Sequence, residues 1–153
     1  MGRALALVVA VGILTGAGYA LGYRLNLQTR AVPVPTAAAS PDEVVRAYVE
    51  AYNARDFSTM GAIYPSGQPA YSRLHAMGTM KDVRIVRSRP ATADDLAGMS
   101  LEPGRDHFLV EVRLTYVGLT GSDLAYRPGP NGWTYWLERA DTGAWTIIDH
   151  GNG

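Results

Sequence analysis

The stretch SPDEVVRAYVEAYNARDFSTM, residues 40–60, carries the signals of a helix start followed by an amphipathic helix. Ser40 is placed as an N-cap, Pro41 suits the first helical position, and Glu43 completes a capping box. Apolar side chains then recur at helical spacing, at Val45, Tyr48, Val49 and Tyr52. The pattern predicts a helix with one buried face, and Asp56 marks the start of a second, shorter helix.

Downstream of these helices the sequence changes to the period of β-strands. HFLVEVRLTYV at 107–117 alternates apolar and polar side chains, and shorter stretches at 83–89, 132–139 and 144–150 are also strand-like. The last two are joined by Ala-Asp-Thr-Gly, which is a hairpin-turn sequence. The order of elements, helices first and an antiparallel meander second, predicts one α+β domain over residues 40–153.

The segment before this domain has the composition of a membrane span. Residues 4–23 read ALALVVAVGILTGAGYALGY and carry no charge, after a short flank at 1–3. Twenty such residues match the length that a helix needs to cross a hydrocarbon core of about 30 Å. We therefore predict a transmembrane helix over 4–23, with a cleaved signal peptide as the alternative. The domain is expected on the extracytoplasmic side of the cell membrane as a single-pass protein, or secreted if the segment is removed.

A linker is expected between the two parts. Residues 24–39 contain Pro33 and Pro35 together with several alanines. Proline prevents regular secondary structure and favours an extended chain. We expect a spacer that holds the domain off the membrane surface.

Composition excludes several classes of function. The chain has no cysteine, which rules out disulfides, thiolate zinc sites and a thiol nucleophile. Three of the 14 basic residues precede Ser40 whereas all 14 acidic residues follow it, so the domain has a slight acidic excess. This balance argues against nucleic-acid binding. The bias toward arginine over lysine is typical of a GC-rich bacterial genome.

The sequence indicates neither a metal site nor a cofactor. His75, His107 and His150 have no metal-ligand spacing, and no phosphate-binding loop is present. The cationic run from Lys81 to Arg89 is interpreted as the solvated face of a strand, with a phosphate or lipid-headgroup contact as the alternative.

Two stretches together resemble the nuclear transport factor 2-like superfamily, which includes SnoaL-like proteins and ketosteroid isomerase. They are PDEVVRAYVEAYNARDFSTM, with Asn53 shortly before Asp56, and GAWTIID at 143–149. The resemblance covers nearly all of residues 40–150. It implies a strongly curved antiparallel sheet wrapped around the N-terminal helices, forming a cone with an internal pocket. The superfamily contains both enzymes and noncatalytic modules, so the fold does not choose between them.

A candidate pocket follows from the alternation of the strands, which places Asp149 on the same side as Trp145 and Ile147. The expected pocket residues are Tyr48, Tyr52, Tyr116, Tyr135, Trp145 and Asp149. The resemblance to ketosteroid isomerase implies Asp149 as an acid or base, with Tyr48 or Tyr52 donating to an oxyanion. We favour the simpler interpretation, in which Asp149 ends a strand and the tyrosines are core rings. We therefore assign no catalytic residue. A small hydrophobic ligand is kept as an alternative partner of the pocket.

The opposite face of the sheet is a candidate interface. The alternation places four apolar residues there among charged ones, at Leu109, Val117, Trp136 and Ile148. Such a composition is typical of an interaction surface, and the resemblance implies a homodimer through this face. The alternative is that residues 118–132 fold back and cover Trp136 within one chain.

These observations favour a membrane-anchored, extracytoplasmic, noncatalytic binding or assembly module. A small-molecule enzyme of the SnoaL or ketosteroid isomerase type is one alternative. The resemblance also implies another, a subunit of a type IV secretion or lipid-transport machine.

Overall fold

The structure is a computed structural model that describes residues 2–20, 26–70, 77–99, 104–118 and 127–151. Within these ranges the chain is an α+β protein, as the sequence predicts. Its elements, in chain order, are α1 (Gly2–Ala20), α2 (Pro41–Ala54), α3 (Phe57–Ile63), a 3₁₀ helix (Pro65–Ala70), β1 (Thr79–Pro90), β2 (His107–Val117), β3 (Gly129–Arg139) and β4 (Trp145–Gly151).

Helix α2 begins as its sequence signals predict. The Glu43 backbone N–H donates to Ser40 Oγ at 3.4 Å, and the Ser40 N–H donates to the Glu43 carboxylate at 2.7 Å. The capping box is confirmed. At the other end Arg55 adopts a left-handed conformation with φ 59°, and its guanidinium donates to the carbonyl oxygens of Met77 and Gly78 at 3.1 and 2.7 Å. These bonds tie the end of α2 to the start of β1.

The four strands form one curved antiparallel sheet in the order β1-β2-β3-β4, the predicted meander. The pairing of β2 with β3 runs without interruption from His107 opposite Glu138 to Tyr116 opposite Gly129. Irregularities interrupt the β1–β2 pairing twice and the β3–β4 pairing once. Such bulges bend a strand and increase its twist, which suits a curved sheet.

One face of the sheet, here called the inner face, packs against α2 and α3. On this face Val110, Tyr135 and Leu137 have no exposed surface. The other members of this core include Val112, Leu114, Tyr116, Trp133 and Ile147 from the sheet, and Tyr48, Tyr52, Met60 and Ile63 from the helices. Phe108 and Trp145 lie half-buried beside it, with their rings edge to face at 5.8 Å.

Residues 26–39 lack regular secondary structure, as expected, but they do not form a spacer that stands away from the domain. Val32 is only 5% exposed, and its N–H donates to the buried Asp56 carboxylate at 2.9 Å. The Thr29 N–H donates to the carbonyl oxygen of Ala54 at 2.9 Å. The expectation is wrong for these residues because Asp56, while capping α3, has a second carboxylate oxygen that binds the N-terminal chain.

The predicted transmembrane helix over 4–23 is not supported by the structure. Helix α1 has 19 residues and extends for about 28 Å. Residues 21–25 lie outside the described ranges. Among the described residues, no helix is both long enough and apolar enough to cross a bilayer. Apolar side chains along α1 are nevertheless exposed, with Leu7 at 68%, Ile13 at 66% and Leu14 at 72%.

Candidate functional site

A bulge in β4 decides which C-terminal side chains face the core. Leu137 pairs with Ile147, but the next pairs are Trp136 with Asp149 and Tyr135 with His150, so Ile148 has no partner in β3. Paired residues share a face of the sheet. Asp149 therefore lies beside Trp136 on the outer face, and His150 lies on the inner face. The prediction that Asp149 shares a side with Trp145 and Ile147 is wrong because the extra residue reverses the alternation.

His150 lies in a group of rings that we call the aromatic cluster: Tyr48, Tyr64, Trp133, Tyr135 and His150. The centroid of the His150 ring lies 5.0 Å from that of Tyr64, 5.6 Å from that of Trp133 and 5.7 Å from that of Tyr135. Trp133 Nε1–H donates to His150 Nδ1 at 3.1 Å. Because an indole nitrogen is only a donor, Nδ1 is the unprotonated nitrogen, and a neutral ring carries its proton on Nε2.

Tyr64 is the member of the aromatic cluster that is influenced by the charge of Asp149 on β4. Burial raises the pKa of its phenol, and the negative charge of Asp149 raises it further. The phenol therefore stays protonated at neutral pH, as an ordinary tyrosine does.

The expected pocket residues are mostly core residues. Tyr48, Tyr52, Tyr116 and Tyr135 are each at most 1% exposed. The hydroxyl oxygens of Tyr52 and Tyr116 lie 3.3 Å apart, and that of Tyr116 also accepts the Gly78 N–H at 2.7 Å. Asp149 is exposed on the other face, where its carboxylate accepts the His150 N–H at 2.8 Å. The structure thus brings the tyrosines together but separates them from the expected acid or base.

The four predicted interface residues have different environments. Leu109 is 4% exposed between its cross-strand partners Arg89 and Trp136, while Val117 is 48% exposed. Trp136 is half-buried, and its Nε1 is buried with no hydrogen-bond partner in the described part of the chain. Ile148 is the unpaired bulge residue. Residues 119–126, within the loop suggested to cover Trp136, lie outside the described ranges.

Sequence reasoning missed a concave surface on the outer face, here called the outer groove. One part, of about 460 Å³, is lined by Asp82, Arg84, Arg113, Leu114, Thr115, Pro130, Asn131 and Gly132. A neighbouring part, of about 300 Å³, shares Arg113 and Gly132 and extends to Val86, Glu111 and Thr134. Gly132 and Arg113 are cross-strand partners, and so are Arg113 and Arg84. Only the strand register brings these residues together, because they are distant in sequence.

The described residues contain no group of three or more side chains suited to hold a metal ion. His107 pairs instead with the Glu138 carboxylate at 3.1 Å, and Arg105 pairs with the same carboxylate at 2.5 Å. His75 lies outside the described residues. The two histidines that the structure describes, His107 and His150, are thus held by different partners and do not share a site.

The bulge yields a testable contrast between two neighbouring residues. We expect His150→Ala to lower the free energy of unfolding by about 2 kcal/mol, because it removes a packed ring and the acceptor of the Trp133 indole. Asp149→Asn should change it by less than about 0.5 kcal/mol, as for other exposed positions. Urea unfolding of both variants measures the contrast. A larger loss for Asp149→Asn would place that carboxylate inside the protein and contradict the bulge.

Comparison with protein families, with curated proteins and with solved structures finds no match to this chain. The fold and the surface define an α+β protein whose described residues bury several aromatic rings in the core and leave an open groove on the outer face of the sheet. The resemblance to the nuclear transport factor 2-like superfamily stays a prediction.

Proposed function

We propose that the chain is a noncatalytic binding or assembly module of the nuclear transport factor 2-like class that works at the extracytoplasmic surface of a membrane. The observation that carries this proposal is the contrast between the two faces of the sheet. The inner face is occupied by the protein's own tyrosines, whereas the outer groove is open and lined by exposed arginines. A ligand or partner would therefore bind on the outer face.

Packing of the interior supports a module over an enzyme of the SnoaL or ketosteroid isomerase type. The centroids of the Tyr48 and Tyr135 rings lie 5.9 Å apart in an edge-to-face contact, and both side chains are buried. Asp149, the expected acid or base, lies on the other face. Catalysis inside the cone would require Asp149 and a substrate to displace this packing.

A ligand titration tests the choice between module and enzyme. Steroid-like and polyketide-like compounds are added to the full chain, and NMR follows the core valines Val45 and Val110. We expect no saturable shift of these methyl signals, because the tyrosines of the expected pocket are buried in the core. A saturable shift that Asp149→Asn abolishes would favour the enzyme. Asp94→Asn is the control, since Asp94 is also exposed.

Membrane association is the second part of the proposal. Its support is the uncharged run at 4–23 and the exposure of apolar side chains on several sides of α1, including Leu7, Val8 and Ile13. Transfer of exposed apolar surface out of water is favourable. The domain is extracytoplasmic if such a segment directs export, and it is secreted if the segment is cleaved.

Fractionation of cells that express the full chain tests the membrane proposal. We expect the protein in the membrane fraction after an alkaline carbonate wash, with its original N-terminus found by mass spectrometry. A soluble protein whose N-terminus begins near residue 21 or 40 would show cleavage and remove the anchor. An uncleaved protein in the soluble fraction would contradict membrane association altogether.

Assembly with further proteins is proposed at the Trp136 end of the outer face. A homodimer there would bury Trp136 from both copies, and half-buried Trp136 has apolar surface to contribute. Sedimentation of the full chain in detergent, with and without Trp136→Ala, tests this dimer. A monomer at high concentration, or a dimer that the substitution leaves intact, would contradict it. A subunit of a type IV secretion or lipid-transport machine is the alternative assembly, and exposed arginines favour the lipid-transport form because many headgroups are anionic.

A further inference from the structure

We infer that the outer groove binds the phosphate group of an anionic ligand through Arg84 and Arg113. This inference deepens the proposed binding function, on which it rests, by naming the chemistry that the outer face recognises. It depends on the charge, register and shape of this part of the sheet.

The two arginines face each other across neighbouring strands. Arg84 of β1 is the cross-strand partner of Arg113 of β2, and both side chains are exposed. Like charges directly opposite one another destabilise a sheet. Neither guanidinium makes an ion pair or a side-chain hydrogen bond with any residue that the structure describes. The pair therefore costs stability in the free protein, and a bound anion would remove that cost.

Other arginines on the same face are neutralised, which distinguishes this pair. Arg87 forms an ion pair with Glu111 at 3.5 Å, and Arg89 forms a two-pronged pair with Asp95. The next two arginines along β1 therefore have carboxylate partners, whereas Arg84 and Arg113 have none among the described residues.

Two carboxylates lie in the outer groove and must be counted. Glu111 is neutralised by its ion pair with Arg87. Asp82 is exposed, has a left-handed backbone with φ 53°, and forms no ion pair among the described residues. Lys81 is exposed on the same strand, opposite Thr115. With Glu111 neutralised by Arg87, the remaining charges are negative on Asp82 and positive on Lys81, Arg84 and Arg113, so this region keeps a net positive charge.

The shape of the groove admits an oxyanion beside Arg113. Gly132 pairs with Arg113 on the side away from Arg84, and a Cβ built on Gly132 would have no atom within 4 Å. Above Gly132 there is thus open space next to a guanidinium. Two guanidinium groups offer more N–H donors than the two oxygens of a carboxylate can accept in good geometry. A phosphate has three or four oxygens and therefore suits the pair better. Thr115 lines the same part of the groove.

The test uses the full chain in a neutral maltoside detergent and inorganic phosphate as the probe. Binding is followed through the arginine side-chain Nε–Hε NMR signals. We expect saturable binding that weakens as salt rises, and a loss of affinity of about tenfold in each of Arg84→Gln and Arg113→Gln. Arg46→Gln is the control, since it removes an exposed arginine of α2, which does not line the outer groove, and should leave the affinity within about twofold.

Two further measurements separate binding from folding. Arg84→Gln and Arg113→Gln should each keep or raise the midpoint of urea unfolding at low salt, because each removes the like-charge contact. Gly132→Val keeps every charge and suits a β-strand, yet it fills the space beside Arg113 and should also weaken binding. Retained affinity in Gly132→Val would overturn the assigned position.

The source of the phosphate is resolved by a second probe, monomeric dihexanoyl phosphatidylglycerol below its micelle concentration. Binding at least as tight as that of inorganic phosphate identifies a lipid headgroup, and binding of inorganic phosphate alone identifies a soluble phosphate ligand. Absence of saturable binding for both probes, or an equal loss in Arg46→Gln, overturns the inference. Such a failure leaves the fractionation result untouched, because that experiment does not use the outer groove.

Discussion

A chain that starts at Thr36 is expected to be about 4 kcal/mol less stable than one that starts at Asn26. The longer chain keeps the docked residues 26–35, and the shorter one loses them. Removing Val32 exposes the apolar surface that this side chain covers, at about 1.5 to 3 kcal/mol for a valine of this burial. It also removes the Val32 N–H, one of the backbone donors to the buried Asp56 carboxylate, at about 1 to 3 kcal/mol.

Urea unfolding of the two chains measures this difference directly. The ion pair between Arg30 and Glu50 is exposed at both ends and should add little. Val32→Ala in the longer chain is the internal control, since it removes the apolar contact but keeps the backbone donor to Asp56. It should reproduce only part of the loss. Equal stability of the two chains would show that residues 26–35 are a free spacer after all.

Asp56→Ala is expected to lower the free energy of unfolding by about 3 kcal/mol at neutral pH. Asp56 is 3% exposed and accepts the Val32 N–H at 2.9 Å and the Thr59 N–H at 3.2 Å. The substitution removes the N-cap of α3 and leaves a buried N–H without a partner. Asp94→Ala, at an exposed position, should cost less than about 0.5 kcal/mol.

The same residue predicts how stability changes with acid. The hydrogen bond from the Val32 N–H lowers the pKa of Asp56 below its ordinary value of 3.8, and bonds from Thr59 act in the same direction. A group with a lowered pKa in the folded state stabilises the protein above its unfolded pKa, and this contribution is lost as the pH falls through the folded pKa. The stability gap between the native chain and Asp56→Ala should therefore be full near pH 6 and narrow below about pH 4. A gap that does not change down to pH 2 would contradict the ionised, hydrogen-bonded carboxylate.

The parts of the fold that the sequence predicted well are those with strong local signals. Strand β2 runs from His107 to Val117, as its alternation predicted, because one of its faces is buried along most of its length. Helix α2 starts after Ser40 because the capping box is a contact within four residues. In both elements the residues that determine the structure are close together in the chain.

The features that were missed depend on contacts between distant segments. The bulge at Ile148 exchanges the faces of the sheet on which Asp149 and His150 lie. Its only local sign is that two apolar residues, Ile147 and Ile148, are adjacent where an alternating strand would have one. Docking of Val32 depends on Asp56, which is far along the chain. The sequence already explained Asp56 as the N-cap of α3, so it gave no sign of a second partner. The opposed pair of Arg84 and Arg113 required the register of β1 on β2, which the sequence does not specify.

Docking of residues 26–39 limits how far the domain can reach. Only the peptide segments between Ala20 and Asn26 separate α1 from the docked chain, and even fully stretched they span about 22 Å. Any surface that holds α1 therefore confines the domain to a thin layer next to it. Groups displayed on that surface face the domain at a high effective concentration, so that contacts too weak to persist in dilute solution would be occupied most of the time.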